Sequence, residues 1–441
     1  MWPIFTRTRS LRVGLQTLLT PATRGLIKGS AWLLIGNFAA RLCMLVAAML
    51  VARLLGKAVY GQFGLLQNTL NMLAEVGGLG AGLAVSRLVA AHRNGNPDYC
   101  RRIIALNFLI ALIVSALICS AFFFAPGQLA QALLGSRELA SAMPLTGATI
   151  LCSSLLGVCM GVLGGMEWFA EVAKINILQA VFSSSLQIVC ALWLGLFGVV
   201  LAAFIATLIA LIFAAARLLS LLKQADIYPA WASCWREYPL LLSSNLPLFV
   251  SGFMVVPITW FGSYMLTQQE NGFSELAAFN AANQIKFVLL FIPTTIANVL
   301  LPIVSRLYTS SGNEVTHMLK INLAINILVV LALSGIIWPL SSVILSAYGA
   351  DFSGDVQILR ASLVVALLTS VNVVLGTLIT GNGNLWSGML LNTAWAAALL
   401  TGMVYWVPTQ GAFGLVLAYI VAYGLHSLWQ GLFLHFHRRG K

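Results

Sequence analysis

SAWLLIGNFAARLCMLVAAMLVARLL (Ser30–Leu55) and GQFGLLQNTLNMLAEVGGLGAGLAVSRL (Gly61–Leu88) are each long and apolar enough to cross a bilayer, yet each carries amides and a full charge in its middle. In the first, Asn37 and Arg41 stand four residues apart and share one helical face; in the second, Gln67, Asn71 and Glu75 keep the same spacing. Such groups are costly in hydrocarbon and normally face a bundle interior or a water-filled cavity. The pair of helices is therefore the first candidate site, and the rest of the chain is the scaffold that shelters it.

Depth follows from helix geometry. At about 1.5 Å per residue, Arg41 lies roughly 16 Å in from Ser30 and Glu75 roughly 15 Å from Val85, so the two charges fall at similar levels in antiparallel neighbours. Two readings stay open: a structural ion pair that lets both tolerate the membrane, or direct handling of substrate or protons.

Composition agrees with this reading. Of 441 residues, 60% are hydrophobic and 8% charged, and the mean hydropathy of +0.94 belongs to an all-α, polytopic membrane protein. A net charge of +12 would suggest nucleic acid in a soluble protein, but here the bases gather in loops and tails, so no nucleic-acid partner is expected. Seven cysteines are scattered mostly through apolar runs without a CxxC pair, which predicts packing and neither a disulfide framework nor a metal site. His435 and His437 have no carboxylate or thiol cluster nearby, and no G-x-x-x-x-G-K-[ST] motif is present, so neither a metal, a cofactor nor ATP hydrolysis is expected.

Residues 1–29 hold five bases and no acid, a basic amphipathic segment suited to an anionic lipid surface. Spanning runs then recur twelve times, near 31–54, 61–87, 103–124, 142–165, 173–196, 198–222, 239–266, 275–304, 320–347, 357–381, 385–407 and 411–434. An even count puts both termini on one side; eighteen of the 24 basic residues then fall in loops and tails of that side, which makes it cytoplasmic. No connection has room for a catalytic domain outside the membrane, which argues against an enzyme.

The chain divides in two. Val85-Ser86-Arg87-Leu88 recurs as Val304-Ser305-Arg306-Leu307, six spans later and at the equivalent end. Two six-helix lobes, residues 30–222 and 239–441, would be joined by a cytoplasmic linker at 223–238 and enclose a central cavity as a substrate path. Glycines 77, 78, 80 and 82 predict close packing in the second span, and Pro257 a bend in the seventh.

Further polar groups cluster within spans. Asn280, Asn283, Gln284 and Lys286 lie within two turns of the eighth, and Asn176, Gln179, Ser183 and Gln187 form a stripe in the fifth that either lines the same cavity or ties helices together. Arg41 and Lys286 would face an anionic substrate from opposite lobes. Arg360 is placed to pair with Asp355 at the outer mouth; Trp32, Trp260, Tyr264 and Trp395 either stack on sugar faces or pack. Glu75 is the candidate for proton or cation coupling.

LVARLLGKAVYGQFGLL (Leu50–Leu66), GLGAGLAVSRLVA (Gly78–Ala90) and AAFNAANQIKFVLLFIPTTIANVLLPIVSRL (Ala277–Leu307), set in a twelve-span layout, resemble the polysaccharide or O-antigen flippase family of the multidrug/oligosaccharidyl-lipid/polysaccharide exporter superfamily. The resemblance implies translocation of an undecaprenyl-diphosphate-linked oligosaccharide across the bacterial inner membrane. Arg41 and Lys286 would engage the lipid-linked anion, Asn37, Gln67, Asn71, Asn280 and Asn283 the sugar hydroxyls, and Glu75 the coupling ion. Implied partners are the lipid-linked substrate, membrane lipids, and the glycan polymerase and chain-length machinery. Competing readings are a cation-coupled multidrug antiporter of the same superfamily, a multispan glycosyltransferase or glycan ligase, and a peptidoglycan-precursor flippase.

Overall fold

The computed structural model describes residues 21–93, 95–239, 255–297, 312–381 and 385–439, and over these it is all-helical. Its α-helices are α1 (Pro21–Leu55), α2 (Lys57–Gly78), α3 (Ala81–His92), α4 (Pro97–Phe124), α5 (Pro126–Leu134), α6 (Met143–Gly165), α7 (Phe169–Gln224), α8 (Val256–Thr267), α9 (Gly272–Leu289), α10 (Gly312–Ser346), α11 (Val356–Gly381) and α12 (Leu385–Arg439). Helix is what such apolar runs must adopt in hydrocarbon, because it satisfies every backbone polar group within the segment.

Several expected spans are bent or folded. The second is α2 plus α3, bent by 46° where Leu79 and Gly80 turn left-handed. Gly82, by contrast, serves packing: a Cβ on Gly161 of α6 would lie 2.2 Å from the Gly82 carbonyl oxygen, so α3 and α6 touch backbone to backbone. The eighth span is α9, continued beyond a 47° bend by Phe291–Ala297.

The fifth and sixth spans are the two limbs of α7, which reverses at Gly195 (φ 56°, ψ −135°). The eleventh and twelfth are the limbs of α12, which reverses at Gly411 (φ 54°, ψ −131°). A second glycine completes each reversal. A Cβ on Gly198 would lie 2.1 Å from the Cys190 carbonyl oxygen, and one on Gly414 2.2 Å from that of Trp406. Both partners are eight residues back, a distance of roughly 12 Å in an uninterrupted helix. The sequences agree as closely as the backbones: GLFGVVLA (residues 195–202) against GAFGLVLA (residues 411–418), at nearly the offset that separates the two VSRL copies.

The first half is knit by ion pairs at one end of the molecule. Arg93 meets Glu167 and Arg102 meets Glu237, each at 2.7 Å, while Glu171 holds both Lys174 (2.7 Å) and Arg217 (2.9 Å). The segment after α7 belongs to this half: Ala230 N–H donates to the Arg101 carbonyl at 3.1 Å, and Cys234 is buried among residues of α4. Four expectations fall outside the described residues or side chains: the basic segment up to residue 20, the side chain of Trp32, most of the seventh span, and the second VSRL copy.

Candidate functional site

A cavity of about 830 Å³ lies between α1, α2, α6 and α7 on one side and α9 with Phe291–Thr295 on the other. Its lining follows from helical spacing. On α2, Gly64, Gln67, Asn68 and Asn71 share a face; on the first limb of α7, Asn176, Gln179, Ser183 and Gln187 do; on α9, Asn280, Asn283, Gln284 and Phe287 do. Among the described residues of the lining, ten carry a side-chain amide, one a guanidinium, and none a carboxylate. Such a surface offers donors and acceptors in quantity and, among those residues, one fixed positive charge.

That charge is Arg41. Its side chain is exposed, Nη1 donates to the Phe287 carbonyl at 3.3 Å, and its guanidinium carbon stands 5.4 Å from the centre of the Phe291 ring. One of five N–H donors is used there, and a planar fork remains to meet an anion. Phe38 packs on Phe291 at 5.3 Å beside it, so α1 and the end of α9 close on each other through this group.

One end of the cavity is sealed by both halves together. Lys57, at the start of α2, pairs with Asp355 at 2.7 Å, with only 17% and 14% of the two side chains exposed, and also donates to the Asp351 carbonyl at 3.2 Å. A layer below, Gln284 Nε2 donates to the Tyr60 hydroxyl (2.9 Å) and the Tyr348 hydroxyl donates to Gln284 Oε1 (3.2 Å). Tyr60, Tyr348 and Phe352 pack with ring centres 5.6–6.3 Å apart. Gly61 lets α2 press on α9, since a Cβ there would overlap the Phe273 carbonyl oxygen at 1.8 Å. Deeper in, Asn68 donates to the Ser263 hydroxyl (3.0 Å) and Trp260 to that of Thr69 (2.9 Å).

Six expected site residues come together in this wall: Asn37, Arg41, Gln67, Asn71, Asn280 and Asn283. Two do not. Lys286 is not among the lining residues: its ammonium lies between the Tyr419 ring (5.5 Å to the centre) and the ring of Phe287 (5.3 Å), so it does not oppose Arg41 across the cavity. Glu75 is absent from the wall, and of the two readings left open the ion pair with Arg41 is not formed, because Arg41 turns to α9 instead. The expected Arg360–Asp355 pair is also replaced: Asp355 goes to Lys57, and Arg360 stacks on Trp338 at 5.2 Å. Of the aromatics, Trp260 and Tyr264 stack on each other at 5.5 Å and Trp395 is buried against Tyr423 at 5.3 Å, which is packing. Sequence reasoning missed Asn68, Tyr60 and Lys57. Their signal was the spacing Tyr60-Gly61, Gly64, Asn68, a stripe on α2 with small residues where a second helix approaches.

Comparison with known proteins agrees with this architecture. The chain is 24% identical over 345 residues to the EPS I polysaccharide export inner membrane protein EpsE of Ralstonia solanacearum, covering 77% of this chain and 78% of that one. Among solved structures it superposes on the lipid II flippase MurJ in an inward closed conformation, with a TM-score of 0.76 at 14% identity over 92% of this chain and 87% of that one. It also superposes on the inward-facing conformation of a multidrug resistance MATE family transporter of the MOP superfamily, with a TM-score of 0.72 at 17% identity over 92% and 99%. These likenesses establish the fold. A family model described as "Polysaccharide biosynthesis protein" matches residues 26–308, well over half of the sequence, and the chain belongs to that family.

Proposed function

We propose that this protein is a flippase that carries an undecaprenyl-diphosphate-linked oligosaccharide, an O-antigen or related surface-glycan unit, across the bacterial inner membrane by alternating access. One observation carries the reading: among its described residues the cavity wall holds ten amides and one guanidinium and no carboxylate. Amides match sugar hydroxyls, which both donate and accept. Arg41 matches a diphosphate, which it can grip in a bidentate way at the edge where α1 meets α9. The lipid tail would stay in the bilayer beside that edge, where Phe38, Leu42, Met44 and Phe287 are exposed.

Residues 30–222 and 239–441 would act as two rocking lobes, with 223–238 as the cytoplasmic linker. The basic loops and ion pairs of the first half then mark the cytoplasmic end, and the Lys57–Asp355 contact the outer one. In this arrangement the sealed end is the outer gate. Its opening, with closure at the other end, would deliver the glycan outward.

Depletion of the protein with analysis of accumulated lipid-linked glycans tests this. The expected result is a build-up of one undecaprenyl-diphosphate-linked oligosaccharide and loss of the matching surface glycan. A cation-coupled drug antiporter would need acids in its cavity to bind cationic drugs; depletion that raised drug susceptibility and left glycans unchanged would favour that reading instead.

A further inference from the structure

The second half encloses another polar region, separate from the cavity wall. From Lys286, whose ammonium covers the Tyr419 ring, a file of aromatic contacts runs through Tyr419–Tyr423 (6.0 Å) and Tyr423–Trp395 (5.3 Å) to Trp395–His426 (6.4 Å). Tyr419, Tyr423, His426 and Gln430 share one face of the second limb of α12. Gln430 Nε2 donates to His426 Nε2 at 2.8 Å. Beside them Asn372 of α11 donates to the Tyr423 carbonyl (3.1 Å) and the Ser427 hydroxyl (3.0 Å).

His426, Gln430, Asn372 and Trp395 are all more than nine-tenths buried. Three of their polar atoms have no hydrogen-bond partner among the described residues: Gln430 Oε1, Asn372 Oδ1 and Trp395 Nε1. None of the four residues lines the cavity. Unpartnered polar groups at such depth are costly in hydrocarbon, so a helical bundle that keeps three of them together beside a histidine has a use for them. Beyond them lies the apolar cluster of Leu375, Leu378, Ile379 and Leu434.

We propose that His426 is the proton-binding group of this enclosed site. In the neutral arrangement Nε2 accepts from the Gln430 amide and the ring hydrogen sits on Nδ1. Binding one proton from water makes both ring nitrogens donors and reverses that contact. A half-turn of the Gln430 amide then brings Oε1, which otherwise has no partner, to accept from Nε2–H. No bond other than N–H is made, and release returns the same proton.

Few ionisable groups stand on the elements around His426. On α11, Arg360 lies more than three turns away and no other ionisable residue occurs; the first limb of α12 carries only Tyr405; α9 contributes Lys286, three rings distant, and Glu275 at its start. On its own limb His426 has Tyr419 and Tyr423, then His435, His437, Arg438 and Arg439 near the end; α10, which packs on α11, has Glu314, His317 and Lys320 near its own start. Use of the site to couple transport to a proton gradient rests on the flippase reading above; proton binding itself does not.

The test uses Trp395 as reporter, because a protonated imidazole in contact quenches indole emission. Full-length protein in lipid nanodiscs is titrated from about pH 8 to about pH 4, a window that reaches below the range of an ordinary imidazole, and the emission of Trp395→Phe is subtracted from that of the wild type. The difference signal is expected to fall along a one-proton curve, and His426→Gln to remove the titration. A difference signal flat across the range in the wild type overturns the proposal even if His426→Gln does not fold. A titration that persists in a folded His426→Gln protein overturns it too. Neither outcome involves the glycan, so either can fail while the flippase reading stands.

Discussion

The folded-back helices α7 and α12 share a backbone and differ in what they carry. Each reverses at a glycine with nearly the same torsion angles, and each needs a second glycine three residues on to clear a carbonyl eight residues back. The first limb of α7 turns Asn176, Gln179, Ser183 and Gln187 to the cavity, where water can satisfy them. The limbs of α12 turn Trp395, Tyr423, His426 and Gln430 inward on one another and on α11. One scaffold, used twice, builds a wet wall in one half and a closed polar file in the other. Polar residues in a membrane helix therefore do not by themselves say which of the two they build.

The largest effects should come from breaking what the halves share. Gly198→Val and Gly414→Val each force a side chain into a backbone carbonyl, which has no rotamer to yield, at an expected cost of about 3 kcal/mol or more. Both should abolish monodisperse protein in size-exclusion chromatography, and to the same degree. If one were tolerated, the two reversals would not be equivalent.

Next in size is the contrast between Arg41 and Lys286. Arg41→Met removes the charge that faces the cavity; at ~1.5–3 kcal/mol for a charged hydrogen bond, surface-glycan production should fall about ten- to hundredfold. Arg41→Lys should recover part of it, since the charge returns without the fork. Lys286→Met should leave production near the wild-type level, because that ammonium stands over Tyr419 and off the wall. Equal loss in both would place Lys286 in the site after all.

The contact that joins the halves gives a smaller change. Asp355→Asn weakens the mostly buried pair with Lys57 and should favour opening of that end. With the native cysteines replaced, labelling of Phe63→Cys by an impermeant thiol reagent should speed up about tenfold, equivalent to ~1.4 kcal/mol. The swap Lys57→Asp with Asp355→Lys should bring it back toward the starting rate. Faster labelling from the cytoplasmic side instead would reverse the assigned topology.

How far the sequence could be read depends on what each feature needs to be decided. Spanning runs were legible because hydropathy over some twenty residues needs no partner to interpret. Six cavity residues were legible for a related reason: Asn37, Arg41, Gln67, Asn71, Asn280 and Asn283 are polar on faces whose spacing fixes them together. Lys286 was not, because α9 carries amides on one face and its lysine on another, and only the neighbour decides which face meets water. Arg41 and Glu75 match in depth, but depth says nothing of rotation about two helix axes. Lys57 and Asp355 lie 298 positions apart, each near a loop, and nothing local marks them as partners.

The smallest predicted effect tests the layer beneath that ion pair. Gln284 comes from the second half and joins Tyr60 of the first to Tyr348 of the second, donating to one and accepting from the other. Gln284→Leu keeps the bulk but leaves the buried Tyr60 hydroxyl without its donor whenever the end is closed. At about 1 kcal/mol for a neutral hydrogen bond, labelling of Phe63→Cys should rise roughly fivefold. Adding Tyr60→Phe removes the stranded hydroxyl, so the double variant should label more slowly than Gln284→Leu alone. A merely bulky plug would respond in the opposite order, because each added change would loosen it further. The sign of the second step therefore separates a hydrogen-bonded gate shared by the two halves from simple steric closure.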